Sequence, residues 1–219
     1  MSNRRMDIRG EKALGLFLDA FFYPQLVVSR GLIKSERIYD IKNQKEGIDL
    51  LLYVDSENVL KIDEKAQLHF INAPKPRFAF EVSYLLDKND RVMDGWLINT
   101  ANQTDYYNLI WINEARTHCL NRIVAEDFLK VTALLIGKKN VARYLSDNGY
   151  TLEKIKLLAQ RMRNNKERII RLTPDSVLYF SNKESYEEKP INILIKEEVL
   201  RKYAAELYIV TRDTITSAK

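Results

Sequence analysis

The sequence predicts an α/β fold followed by a largely helical C-terminal extension. A helical apolar repeat near the start is followed by four strand-like segments that turn residues separate. After residue 124 the pattern changes to helical repeats with many basic residues. The length of 219 residues, with 46% hydrophobic, suits one domain with an extension. We therefore divide the chain into a core over residues 1–115 and a basic helical extension over residues 116–219.

The predicted core begins with a helix over residues 11–23. Leu14, Phe17 and Phe21 recur at helical spacing. The run ends at Pro24, because proline interrupts a helix. Short polar turns such as residues 55–58 then separate strand-like runs. These predicted strands cover residues 48–54, 59–71, 77–86 and 106–113.

The extension is predicted to be mainly helical. Thr151 is a helix-capping residue placed directly before an apolar helical repeat, and Gly149 is a stop signal for the helix before it. A turn at residues 173–176 predicts a small hairpin. The predicted elements are helices over residues 125–136, 139–148, 152–164 and 197–208, a hairpin of residues 169–172 with 177–180, and a strand over residues 191–195.

Charged residues interrupt two of the apolar strands of the core. Asp49 opens one strand, and the next strand carries Asp63 and Lys65. Side chains alternate along a strand, so Asp63, Lys65 and Gln67 share one face. Charged groups in an apolar strand are costly to bury unless they are paired or bind an ion. Brought together, Asp49, Asp63 and Lys65 would form a pocket of oxygen ligands beside an ammonium, which suits Mg²⁺ and phosphodiester hydrolysis.

The order of an acid on one strand and Asp-x-Lys on the next resembles the motif of the PD-(D/E)xK nuclease superfamily. Ile48 stands where the superfamily motif has its proline. The resemblance covers about residues 8–115 and implies a restriction-endonuclease-like αβββαβ core with a central mixed sheet. It implies that Asp49 and Asp63 hold Mg²⁺ or Mn²⁺. It also implies that Lys65 positions or polarises the attacking water.

Four further acids and amides are candidates for the same site. Glu64 replaces Asp63 as the metal ligand if the strand bulges there. Gln67 continues the Asp63 face and is a candidate substrate contact. Glu81, in an apolar strand, would either pair with Lys65 or add a metal ligand. Glu11 lies near the start of the first helix, where the helix dipole favours an acid; relatives in the superfamily place an acid there that points at the metal.

The positive charge of the chain is concentrated in one segment. Residues 116–171 carry 13 Lys and Arg against 5 Asp and Glu, whereas the whole chain has a net charge of +5. A basic segment next to a metal site suits a phosphate backbone, while the simpler interpretation is a solvated basic face. The residues that we expect to contact nucleic acid are Arg161, Arg163, Lys166, Arg168 and Arg171.

Several classes of protein are disfavoured by composition. The single cysteine, Cys119, excludes an internal disulfide framework and a cysteine-rich zinc site. No segment approaches the roughly 20 uninterrupted apolar residues of a membrane span. The N-terminus lacks the apolar region of a signal peptide. We therefore expect a cytoplasmic protein with no membrane partner.

These observations together predict divalent-metal-dependent hydrolysis of phosphodiester bonds in nucleic acid, and in particular a DNA endonuclease. Relatives that cut duplexes often pair two active sites, so the resemblance also implies that two copies of the chain could form a homodimer. The alternative is a catalytically silent nucleic-acid-binding protein of the same fold. In a third interpretation, the Asp-x-Lys sequence has no role and the protein belongs to another class.

Overall fold

The chain begins with two consecutive helices. In this computed structural model, which describes residues 3–86, 91–182 and 188–218, helix α1 spans Asn3–Phe21 and helix α2 spans Tyr23–Arg30. The predicted helix over residues 11–23 is therefore extended toward the N-terminus and followed by a second helix.

Apolar side chains at helical spacing hold α1 in the core. Phe17 and Leu18 are fully buried in one cluster with Leu50 and Ile62 of the neighbouring sheet. Pro24 lies in the first turn of α2, where its missing N–H leaves no helical hydrogen bond unmade. Proline there starts a helix, so the chain stays helical beyond the predicted stop.

A seven-stranded mixed sheet supplies most of the other side chains of the hydrophobic core that contains α1. The strands β3 (Val59–Ala66) and β6 (Tyr106–Ala115) pair in parallel, and the other neighbouring strands pair antiparallel. In spatial order the strands are β1 (Lys34–Arg37), β2 (Leu50–Tyr53), β3 (Val59–Ala66), β6 (Tyr106–Ala115), β7 (Phe128–Gly137), β11 (Glu206–Thr211) and β12 (Ile215–Ser217).

The register of the three central strands aligns residues that matter for the site. Asp63 of β3 pairs with Tyr107 of β6, and Tyr107 pairs with Ile136 of β7. Directly paired residues on neighbouring strands point to the same face of a sheet. Asp63, Tyr107 and Ile136 therefore form one row across the centre of the sheet.

A second, five-stranded sheet is antiparallel throughout. In spatial order its strands are β5 (Arg91–Asp94), β4 (Arg77–Leu86), β10 (Ile191–Lys196), β9 (Ser176–Phe180) and β8 (Ile169–Arg171). The predicted hairpin of residues 169–172 with 177–180 is confirmed as the β8–β9 pair.

The other helices are short. The Thr151 hydroxyl accepts the N–H of Lys154 at 3.2 Å, which confirms the predicted cap of helix α5 (Leu152–Asn164). The remaining helices are α3 (Ile41–Lys45), α4 (Lys138–Asp147), α5 (Leu152–Asn164) and α6 (Glu197–Tyr203), with single 3₁₀ turns at Leu68–Phe70 and Ala125–Asp127.

The chain divides into two compact units that interleave along the sequence. The first unit contains Met1–Lys75, Gln103–Lys138 and Ala204–Lys219. The second contains Pro76–Asn102 and Lys139–Tyr203. The seven-stranded sheet belongs to the first unit and the five-stranded sheet to the second.

The predicted helical C-terminal extension is wrong. Most of the predicted helix over residues 125–136 is strand β7, and the end of the predicted helix over residues 197–208 is strand β11. In β7 the side chains of both faces are buried, so the strand is almost continuously apolar and lacks the alternation of a half-exposed strand. A run of that kind cannot be distinguished from a buried helix by its periodicity.

The restriction-endonuclease-like arrangement of the core is also wrong. Residues 77–86, predicted as the third strand of one meander, form β4 in the second sheet. The antiparallel neighbour that completes the meander with β2 and β3 is β1, which precedes them in the chain. Its sequence, Lys-Ser-Glu-Arg, is polar because it forms a sheet edge, so it carries no strand signal.

Within the described ranges, none of the helices is both long and apolar enough to cross a membrane.

Candidate active site

The centre of the candidate site is an ion pair on one face of β3. Asp63 is 1% exposed, and its Oδ1 lies 2.5 Å from the Nζ of Lys65. The two residues share a face because they are two positions apart on an unbroken strand. The structure thus brings together the two residues of the predicted Asp-x-Lys sequence.

Asp49 is held against the same strand. It directly precedes β2, and its N–H donates to the carbonyl oxygen of Ile62 at 2.9 Å. Its Oδ2 accepts the backbone N–H of Glu64 at 2.8 Å. This bond fixes the Asp49 carboxylate beside the strand that carries Asp63, and the two acidic side chains are close enough to repel each other.

The environment of Asp63 disfavours its negative charge. The pKa of Asp63 is raised to about 7: burial is the largest cause, the Lys65 ammonium opposes the rise, and the Asp49 carboxylate adds to it. Asp63 Oδ2 is buried, and no group among the described residues donates a hydrogen bond to it. A proton or a cation at this oxygen would relieve both the repulsion and the unsatisfied burial.

Lys65 is held in its charged form. Burial lowers the pKa of Lys65, but the carboxylates of Asp63, Asp49 and Glu11 outweigh burial, so the pKa is raised. Its side chain is 28% exposed, while the side chain of Asp63 is 2% exposed. Lys65 therefore offers a fixed positive charge rather than a base.

Glu11 is brought to this site from α1. Its charge acts on Lys65, and it in turn is affected by Asp49. The pKa of Glu11 is raised, mainly because surrounding protein atoms remove water from its carboxyl group. The Lys65 charge lowers this pKa, and the charges of Asp49 and Asp7 raise it. The predicted acid of the first helix thus lies within electrostatic reach of the predicted strand residues.

The donor set fits a hard divalent cation that keeps part of its water shell. In the ranges that the structure describes, no three His, Cys, Asp or Glu side chains are grouped to hold a metal ion by themselves. Mg²⁺ is commonly held by one or two carboxylates together with waters and substrate phosphates. Asp49 and Asp63, with the unsatisfied Oδ2, match that smaller requirement.

The fold also brings Tyr107 and Lys138 close to Asp63. Tyr107 is fully buried next to Asp63, and burial followed by the Asp63 charge raises its pKa. Lys138 is half-buried; burial lowers its pKa, while the charges of Asp63 and Asp105 oppose that. Only the register of β3, β6 and β7 places Tyr107 and Lys138 near Asp63, so sequence spacing could not find them.

Glu64 lies on the opposite face of β3, in a separate polar cluster. Tyr23 Oη donates to Glu64 Oε1 at 2.5 Å, and Arg37 Nη1 donates to Glu64 Oε2 at 2.7 Å. Arg37 also donates to both carboxylate oxygens of Asp19, at 2.6 and 2.8 Å. The β3–β6 register runs without a bulge through this point. The carboxylate on the same face as Lys65 is therefore that of Asp63. The Glu64 carboxylate lies on the other face of β3, where it binds Tyr23 of helix α2.

Replacing Arg37 by methionine should destabilise the protein by about 3 kcal/mol, because it leaves the Glu64 carboxylate without its cation in a mostly buried setting. Urea unfolding monitored by circular dichroism would measure this loss. The matched control is Arg30→Met, since Arg30 pairs with Glu206 on the exposed surface. That pair should contribute below about 1 kcal/mol. Equal losses in the two variants would contradict a structural role for the Glu64 cluster.

The side chain of Gln67 binds the backbone of a neighbouring loop. Its side chain is largely buried; Oε1 accepts the N–H of Lys75 at 2.7 Å, and Nε2 donates to the Lys75 carbonyl at 3.3 Å. Trp111 Nε1 donates to the same carbonyl at 3.0 Å. Gln67 and Trp111 thus fix the loop that ends at Lys75.

The other predicted site residues belong to the second unit. Glu81 lies on β4. Arg163 is partly buried, donates to the carbonyl of Lys189 at 3.1 Å and lies over the ring of Phe180 at 5.0 Å. Its contacts are those of a structural arginine. The four remaining predicted nucleic-acid contacts are exposed: Arg161, Lys166, Arg168 and Arg171.

Comparison with known proteins adds no relative: no protein-family model, no curated protein and no solved structure matches this chain.

Proposed function

We propose that this protein hydrolyses phosphodiester bonds of nucleic acid with the help of a divalent metal ion, through a site of the PD-(D/E)xK kind. The observation that carries the proposal is the buried pair Asp63–Lys65, with Asp49 beside it and an Asp63 oxygen that receives no hydrogen bond from the described residues. Two carboxylates and an ammonium in one pocket suit charge stabilisation at a phosphate.

Each residue of the pocket has a definite task in this proposal. Asp49 and Asp63 hold Mg²⁺ or Mn²⁺. The bound ion would lower the pKa of a water molecule and offset negative charge on the phosphate. Lys65, which stays protonated, orients the attacking water and neutralises charge that develops on the phosphate oxygens. Glu11 adds negative charge at the edge of the pocket and helps to keep Lys65 protonated.

The proposed substrate is DNA. The segment of residues 116–171 carries a large excess of basic residues, as expected for binding along a phosphate backbone. The exposed residues Arg161, Lys166, Arg168 and Arg171 are the proposed phosphate contacts. The proposal includes a cytoplasmic location, and a second copy of the chain would supply the second cut of a duplex.

A cleavage assay tests the proposal directly. Supercoiled plasmid, linear duplex, single-stranded DNA and RNA are incubated with the wild-type protein and Mg²⁺, Mn²⁺ or EDTA. We expect cleavage of DNA that requires the metal and that is lost in Asp49→Ala and Asp63→Ala. Glu57→Ala, in the exposed turn between β2 and β3, is the control and should keep full activity.

The result also decides between the proposal and its main rival. If the wild type binds DNA but cuts none of the four substrates with either metal, the protein is a binding protein and the hydrolytic proposal fails. If cleavage persists in Asp63→Ala, the active site lies elsewhere in the chain.

A further inference from the structure

An exposed aromatic ring lies on the loop that follows β3. Phe70 is 41% exposed, whereas its neighbours Leu68 and Ile71 are buried in the hydrophobic core. The 3₁₀ turn Leu68–Phe70 thus keeps the apolar side chains on either side inside and leaves the Phe70 ring at the surface. Single exposed apolar residues are common on proteins, so the surroundings of Phe70 decide what its ring is suited to bind.

A lysine lies against this ring. The Nζ of Lys75 is 5.0 Å from the centroid of the Phe70 ring, and Lys75 is exposed. The two side chains form a cation–π pair at the surface. Proteins that bind single-stranded nucleic acid combine these same two groups, because a base stacks on an aromatic ring while its phosphate pairs with a positive charge.

The loop that carries both residues is fixed by hydrogen bonds. The N–H of Phe70 donates to the carbonyl oxygen of Gln67 at 2.9 Å, and the N–H of Ala73 donates to the carbonyl oxygen of Phe70 at 3.1 Å. The Asn72 side chain donates to the carbonyl oxygen of Ala115 at 2.9 Å and accepts the Ala115 N–H at 2.6 Å. The backbone beneath the ring is therefore held in place before a ligand arrives, which lowers the entropy cost of binding.

The loop lies on the face of the sheet that carries the candidate site. Trp111 is four residues after Tyr107 on β6, so its side chain shares the face of Tyr107 and of the paired Asp63. Trp111 Nε1 donates to the carbonyl oxygen of Lys75 at 3.0 Å. Gln67 continues the Asp63 face of β3, and its Oε1 accepts the N–H of Lys75 at 2.7 Å. Contacts from two neighbouring strands therefore hold the Lys75 backbone over that face.

The Phe70 ring is also near the site along the chain. Two extended residues and one 3₁₀ turn separate Lys65 from Phe70, a path of about 13 Å at most. A DNA strand with one phosphate at Lys65 would therefore reach Phe70 within a few nucleotides.

We propose that Phe70 and Lys75 bind an unpaired nucleotide of the DNA strand next to the candidate site, with its base stacked on the Phe70 ring and its phosphate at the Lys75 ammonium. A base inside a duplex is already stacked on both sides, so the contact selects single-stranded DNA over a blunt duplex. The inference rests on the proposed function and names the substrate class of that site. Neither residue takes part in the hydrolytic step.

Equilibrium binding of three ligands tests this contact. The ligands are fluorescein-labelled oligothymidylate, an abasic strand with the same number of phosphates, and a blunt duplex of the same length, each with Ca²⁺ in place of Mg²⁺. Phe70→Leu removes the aromatic face, Phe70→Trp keeps one, and Lys75→Met removes the ammonium. The matched controls are Tyr53→Leu and Lys34→Met, because Lys34 lies over the ring of Tyr53 at 4.3 Å. Tyr53 ends β2, whereas Asp49 directly precedes that strand.

We expect Phe70→Leu to weaken binding of oligothymidylate by about tenfold and binding of the abasic strand by less than about twofold, because stacking requires a base. Phe70→Trp should bind oligothymidylate at least as tightly as the wild type. Lys75→Met should weaken binding of both single strands and reduce the slope of log affinity against log salt by about 0.7. Both controls should stay within about twofold of the wild type, because distant exposed groups are screened. The thermal midpoints of the Phe70 and Lys75 variants should stay close to the wild-type value, since both side chains are exposed.

The outcomes separate this inference from the proposed function. Selective loss of oligothymidylate binding in Phe70→Leu, without any metal-dependent cleavage by the wild type, supports the stacking contact and overturns hydrolysis. Metal-dependent cleavage together with equal oligothymidylate affinities in Phe70→Leu and Tyr53→Leu overturns the stacking contact and leaves hydrolysis standing. The stacking contact is also overturned if Phe70→Leu weakens binding of the abasic strand equally, or if the wild type binds the blunt duplex more tightly than oligothymidylate. A wild type that binds no DNA overturns both.

Discussion

Lys65→Met is expected to lower the rate of metal-dependent DNA cleavage by about 10²–10³-fold, with a much smaller effect on KM. The methionine fills the space of the lysine stem but removes the ammonium that lies 2.5 Å from Asp63. A preorganised positive group in a water-poor site stabilises developing charge far more than it stabilises the ground state. The loss should therefore appear in kcat, measured under saturating DNA with Mg²⁺.

The control for this variant lies on the same strand. Lys61 is four residues before Lys65 on β3, and its ammonium donates to the side chain of Gln103 at 2.7 Å. Lys61→Met should change kcat less than about threefold, because an exposed charge contributes mainly long-range attraction. If Lys61→Met and Lys65→Met lose activity equally, the effect is a general loss of positive charge, and the specific role assigned to Lys65 is wrong.

Asp63→Asn should abolish cleavage and, in the absence of metal, stabilise the fold by about 2–4 kcal/mol at pH 8. The physical reason is the buried carboxyl: its pKa in the folded protein is about 7, whereas the ordinary value is 3.8. At pH 8 the folded protein must therefore carry a buried negative charge that the unfolded chain carries in water. Asparagine removes that cost because it carries no charge.

The pH dependence fixes the sign of this effect. Between about pH 4 and pH 7 the folded protein keeps the Asp63 proton while the unfolded chain releases it, so folding binds a proton. The contribution of Asp63 to the free energy of unfolding is thus complete below pH 4 and is lost as the pH rises to 7. The free energy of unfolding of Asp63→Asn should therefore not decrease in this way between about pH 4 and pH 7. Glu57→Gln, which changes a residue of an exposed turn, should show the same decrease as the wild type.

Thermal unfolding with and without metal completes this test. Mg²⁺ that binds only the folded protein should raise the midpoint of the wild type and leave that of Asp63→Asn unchanged. A wild type whose stability is flat from about pH 4 to 7, with no response to Mg²⁺, would contradict the assigned environment of Asp63.

The heart of the candidate site can be predicted from local sequence. Asp63 and Lys65 are two residues apart on a strand whose pattern is clear, and Asp49 opens the strand that pairs with it. The alternation of side chains along a strand by itself therefore places Asp63 on the face of Lys65 and Glu64 on the opposite face. Tyr107 and Lys138 cannot be found in this way, because their proximity to Asp63 depends on pairing between distant segments, which no local pattern encodes.

The sheet assignment is wrong for a related reason. β4 is apolar and strand-like, but a strand pattern does not specify its partner, and β4 pairs with β10 rather than with β3. β1 carries no strand signal because an edge strand can be polar. The sequences of β7 and β11 resemble helices because buried strands have no alternation and because residues 197–203 form a real helix shortly before β11.

The interleaving of the two units has a consequence for biosynthesis. A nascent chain on the ribosome releases β1, β2 and β3 first, but the parallel partner β6 follows only after the first segment of the second unit has been made. β7 cannot pair with its neighbour β11 at first, because β11 is translated after the rest of the second unit. Until that point β7 presents an open, apolar edge of the kind that aggregates. Folding of the first unit is therefore completed late in translation, and shielding of β7 by a chaperone would matter most in that interval.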